Sequence, residues 1–62
     1  MAFLPKDPYM LLSVVNMKLR DFYPSLDALC GDLGADRQQI MDALADAGYQ
    51  YDAEQNAFVA GE

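Results

Sequence analysis

The 62-residue sequence predicts one mainly α-helical domain, three helices closed by a small C-terminal β-hairpin. Three observations predict it. Apolar residues recur at helical spacing in three successive segments, and each segment is preceded by a residue suited to capping a helix N-terminus. Gly34 and Gly48 stand where the second and third segments must end. Beyond Gly48 the apolar period shortens to two, which is the spacing of strands.

Residues 1–7 read as an extended lead whose Phe3 and Leu4 are available to pack on the domain. Asp7-Pro8 marks the first helix start. The carboxylate accepts from orphan amide groups, and proline at the first helical position gives up a donor that has no partner there. The first helix is expected over 8–23, because Pro24 disfavours helical geometry at the preceding residue. On a wheel of about 100° per residue, Leu11, Leu12, Val15, Leu19 and Phe22 share one sector, and Met10, Val14 and Met17 widen it to roughly 220°. A stripe of about 100° is enough to cover one side of a core. The helix is therefore either covered on two sides, or Met10, Val14 and Met17 form a self-association surface. Tyr9, Ser13, Asn16 and Arg20 hold the remaining arc.

Ser25 is the next N-cap, and Leu26, Leu29, Cys30 and Leu33 follow at i, i+3, i+4 and i+7, which predicts a second helix over 25–33. Gly34 ends it. Asp36 opens a third helix over 36–47, with Gln39 placed to complete a capping box in which aspartate replaces the usual serine or threonine. Its buried face is Ile40, Ala43, Leu44 and Ala47. Tyr49-Gln50-Tyr51 and Ala57-Phe58-Val59 flank a polar run and read as a hairpin over 49–59. Two strands are marginal alone, so the hairpin must lean on the helices through Phe58 and one of Tyr49 and Tyr51, the other being exposed. Residues 60–62 are expected to fray.

Leu29, small Cys30, Leu33, Gly34 at the turn, Ile40 and Leu44 match a helix-turn-helix template. With a helix before it and a hairpin after it, the arrangement is like a minimal winged helix. A DNA reader built this way would use Arg37, Gln38 and Gln39 against base edges. The charge argues against it. Ten Asp and Glu face four Lys and Arg, a formal net charge of −6, whereas binding to a polyanion rests on cations displacing counterions. Seven acidic residues and one arginine lie between Ser25 and Val59, while the first 24 residues carry +1. Acidity of this kind keeps a small domain in solution, or mimics nucleic acid towards a basic protein.

The residue inventory also limits chemistry. Histidine is absent, and Cys30, the single cysteine, occupies a core-facing helical position, so the sequence offers no activated nucleophile and no catalytic residue. Asp32, Asp36, Asp42 and Asp46 lack the loop spacing of a hard-cation site, so no metal and no cofactor is expected. A lone cysteine forms no intrachain disulfide, and no long apolar run is present. Those features point to a cytoplasmic chain without a membrane partner.

Leu4-Pro5-Lys6-Asp7-Pro8, followed by Met10 through Asp21, resembles the opening of a small bacterial family, domain of unknown function 4250. Ser25 through Cys30, Gly48 through Asp52 and Asn56-Ala57-Phe58 are similar to its continuation. The resemblance implies a compact bacterial protein and brings no activity or binding residue with it. It draws attention to Asn16, Lys18, Arg20 and Asp21; of these Asn16 and Arg20, four apart on the polar arc with Ser13, are placed either to meet a partner or to tie the helix to the hairpin of their own chain. The expectation is a non-enzymatic acidic interaction module, homodimeric through its first helix. A transcription-associated DNA binder is the alternative, and an acidic nucleic-acid mimic a further one.

Overall fold

The computed structural model describes residues 4–61, so the expectations for Phe3 and Glu62 lie outside the described residues. Five elements follow in order: α1 (Pro8–Asp21), α2 (Leu26–Leu33), α3 (Arg37–Asp46), β1 (Tyr49–Asp52) and β2 (Ala57–Ala60). Three helices and one two-stranded antiparallel hairpin at the C-terminus make a mainly helical domain.

Each boundary has a local cause. The Asp7 carboxylate accepts from the Tyr9 N–H at 2.9 Å, with Pro8 opening the helix behind it. α1 ends at Asp21, two residues before Tyr23, because Phe22 leaves helical geometry at φ −126°. Its N–H and that of Tyr23 both still reach the Lys18 carbonyl, at 2.8 and 3.0 Å. Ser25 accepts from the Ala28 N–H at 3.1 Å and starts α2. Gly34, left-handed at φ +68°, ends it. Asp36 accepts from the Gln38 and Gln39 amides at 3.0 and 3.5 Å and starts α3. The reciprocal arm of a capping box, from the Gln39 side chain, is not formed among the described residues.

The core is Leu11, Val15 and Leu19 from α1, Leu26, Leu29 and Cys30 from α2, Ile40 and Leu44 from α3, and Phe58 from β2. Burying each of the larger side chains contributes about 1.5–3 kcal/mol. The hairpin completes this core. β1 packs on α3, β2 packs on α1, and the Tyr51 and Phe58 rings meet with centroids 5.5 Å apart.

Three further expectations change. Tyr49 and Tyr51 are both half-buried against the core, since residues two apart on a strand share a face. Ala60 belongs to β2, opposite Tyr49, and the Gly61 N–H closes the ladder on the Gly48 carbonyl at 2.8 Å, so the hairpin runs past Val59. Phe22, placed by the wheel in the core sector, is 68% exposed because the chain has already left the helix there.

Candidate functional site

α1 has two apolar faces with different fates. Leu11, Val15 and Leu19, four residues apart, turn inward and are buried. Met10 and Met17 lie on the other side and stay 59% and 39% exposed, with half-buried Val14 between them. Tyr9, one residue earlier, is 62% exposed. The core is complete without these side chains, which leaves an apolar strip along the outside of the helix. Lys18 and Arg20 lie in its last turn, and the Lys18 ammonium stands 6.0 Å from the centre of the Phe22 ring.

Beside this strip a groove of about 770 Å³ runs between α1 and the hairpin turn, lined by Ser13, Asn16, Met17, Arg20, Gln55 and Asn56. Its polar groups are largely engaged. The Gly61–Gly48 bond sets the phase of the ladder so that the Phe58 N–H and C=O point away from β1, onto the free edge of β2. Asn16 meets both. The Phe58 N–H donates to Asn16 Oδ1 at 2.7 Å, and Asn16 Nδ2 donates to the Phe58 carbonyl at 3.0 Å. A carboxamide carries one acceptor and one donor on one plane, so here it takes the place of a neighbouring strand and protects the edge.

Asn56 ties the turn to the end of α1. It is left-handed at φ +52°, a conformation asparagine tolerates better than most residues. Its Nδ2 donates to the Leu19 and Tyr23 carbonyls at 3.1 and 2.9 Å, satisfying groups that a helix C-terminus leaves without partners. Its Oδ1 accepts from the Tyr51 hydroxyl at 2.7 Å, and that oxygen accepts from the Leu26 N–H at 3.3 Å. One chain of side-chain bonds therefore links the end of α1, the start of α2, β1 and the hairpin turn. Neither Asn56 nor Tyr51 stands among the sequence-derived site residues. The available signal was asparagine at the last turn position before a strand, where a left-handed residue is favoured.

Of the three polar residues considered together, Asn16 alone bonds to the hairpin. Arg20 instead forms a two-bond ion pair with Asp21 at 3.0 and 3.1 Å, and Ser13 is exposed. The Arg20 hydrogen bond lowers the Asp21 carboxyl below its ordinary range, and the Arg20 guanidinium is raised in turn. On α3, the Arg37 guanidinium sits 2.9 Å from the Asp27 carboxylate of α2, and Gln38 donates to Asp42 at 2.8 Å. Gln39 is exposed.

Cys30 is buried, and burial pushes its thiol up, away from the nucleophilic thiolate. Among the described residues no three carboxylates or thiols gather where they could hold a metal ion, and no helix is long and apolar enough to cross a membrane. The outer side of α1 thus carries exposed apolar side chains, and the polar side chains of Asn16, Arg20 and Asn56 beside it are hydrogen-bonded within the chain. No curated protein and no solved structure matches the chain. A family model does match, over residues 5–58, and the chain accordingly belongs to the family described as domain of unknown function (DUF4250).

Proposed function

We propose that this chain is a non-enzymatic protein-interaction module whose contact surface is the outer face of α1, and that the face takes up a second copy of the chain. The observation that carries this is the exposure of Met10 and Met17, at 59% and 39%, on a helix whose inner face already completes the core. Methionine is suited to such a surface, because its unbranched, polarisable side chain adapts to the shape opposite it. The electrostatics agree: residues up to Pro24 carry +1, whereas those from Ser25 to Val59 carry −6, so α1 is where two acidic copies approach with least repulsion.

A DNA-reading use of α3 has less support. Arg37 and Gln38 face carboxylates of their own chain, and the hairpin packs into the core where a DNA-binding wing would project.

Sedimentation at micromolar concentration tests the proposal. The expected species is a 13.8 kDa dimer, twice the 6.9 kDa chain. Met17→Glu should weaken association at least tenfold while the far-ultraviolet circular dichroism of the folded chain stays that of the parent, since exposed helix positions seldom disturb the fold. A monomer at that concentration refutes the proposal, and so does a Met17→Glu chain that dimerises as the parent does.

A further inference from the structure

We propose that the free edge of β1, with α3 beside it, takes up an extended basic segment of a partner protein as a third, antiparallel strand. The two edges of the hairpin differ. The Gly61–Gly48 bond fixes the phase of the ladder, so Gln50 and Asp52 bond to β2, while the N–H and C=O of Tyr49 and Tyr51 point away from it. On the β2 side the corresponding groups of Phe58 are taken by Asn16. On the β1 side the four groups of Tyr49 and Tyr51 have no backbone partner among the described residues. Such a row is a template for another strand.

α3 stands against β1 and α1 against β2, which sets α3 beside the open edge. A groove of about 300 Å³ lies there, with Met41, Asp42 and Ala45 on the helix side and Tyr49 and Tyr51 on the strand side. In an added antiparallel strand, residues opposite Tyr49 and Tyr51 share their face and turn toward Met41 and Ala45, which suits apolar side chains. Those opposite Gln50 and Asp52 turn to the outer face. Charge selects the occupant. Asp42 accepts from the Gln38 side chain, and Asp52 from the Glu54 N–H and the Gln55 side chain, all uncharged donors. The ion pairs of the described residues lie elsewhere, at Arg20–Asp21 and Arg37–Asp27, and no lysine or arginine lines the groove. A cationic side chain opposite Asp52 supplies the missing charge. A second copy of β1 would instead bring another Asp42 and Asp52 to the same edge.

The test uses a short synthetic peptide of alternating lysine and valine, added to the nitrogen-15-labelled chain. The Tyr49 and Tyr51 amides should then exchange with solvent about tenfold more slowly. N-methylation of the valines removes the donors that face β1 and keeps every side chain, so it should weaken binding about tenfold or more, as should glutamate in place of lysine. Ala45 is exposed in the groove, and Ala45→Arg should weaken the peptide by a similar factor without disturbing the fold. Met17→Glu should leave peptide binding unchanged, because the edge does not depend on the outer face of α1. Absence of binding at millimolar peptide, binding indifferent to N-methylation, unchanged exchange at Tyr49 and Tyr51, or a loss caused by Met17→Glu overturns the proposal.

Discussion

Replacing Asn16 with alanine should loosen the hairpin from the helices, and its size follows from the two bonds lost. Asn16 accepts from the Phe58 N–H at 2.7 Å and donates to the Phe58 carbonyl at 3.0 Å. Phe58 is 3% exposed, so its backbone groups lie against the core, where an unpartnered donor or acceptor costs about 1–3 kcal/mol. Asn16 is itself half-buried, and water can reach the vacated space from the groove side, which puts each loss near the lower end. Alanine is the better helix former and returns about 0.6 kcal/mol. Two losses of about 1 kcal/mol each, less that return, leave a net loss of about 1.5 kcal/mol.

A natural domain holds about 0.05–0.15 kcal/mol per residue, so a chain of this length has only a few kcal/mol in total and the loss should be large beside it. Urea unfolding followed by far-ultraviolet circular dichroism measures it as a lower midpoint at unchanged slope. Asn16→Asp sharpens the test. The carboxylate keeps the acceptor for the N–H but sets a second lone pair against the Phe58 carbonyl, so its folded-state pKa should be raised above the unfolded value. Stability is then greatest below the unfolded pKa, near 4, and is lost as pH rises through the raised folded pKa. An alanine variant within about 0.5 kcal/mol of the parent, or an aspartate variant that does not recover in acid relative to alanine, would refute the strand-mimicking role of Asn16.

Two further outcomes are expected. The Tyr23 hydroxyl donates to the Asp32 carboxylate, and this bond, followed by desolvation, raises the phenol above its ordinary value. The contribution is present below the unfolded pKa near 10 and is lost as pH rises through the higher folded value. In an ultraviolet difference titration of the folded chain, Asp32→Asn should bring one tyrosine ionisation to lower pH, and an unchanged titration would contradict the assignment. Gly34→Ala meets no atom within 4 Å but must hold φ +68°, so it should destabilise the chain by about 1 kcal/mol, seen as a thermal midpoint about 4–8 °C lower. A gain in stability there would mean that the end of α2 does not require the left-handed geometry.

Local chemistry explains why the elements were legible. Asp7, Ser25 and Asp36 are short acceptors placed just before apolar runs, and each accepts from amide groups of the helix it opens. Gly34 and Gly48 are left-handed where those runs end. These are effects within a few residues, so one sequence contains them. The bonds of Asn16 span 42 positions, and those of Asn56 to Leu19 and Tyr23 span 37 and 33. Nothing in local spacing specifies such partners. Phe22 was misplaced for a related reason: a helical wheel assumes the helix continues, and the backbone turns off one residue earlier.

The wheel could not decide whether the broad apolar arc of α1 was core or surface, because that depends on what the rest of the chain supplies. Phe58 supplies it. Packed on α1 from the hairpin, it joins the core that Leu11, Val15 and Leu19 line on one side, and Met10 and Met17 are left outside. Phe58 can hold that place only because Asn16 satisfies the backbone groups that β2 would otherwise expose on its free edge. Asn16 is on α1 itself. The polar edge of the helix thus secures the strand that covers its inner face, and the outer face is left exposed.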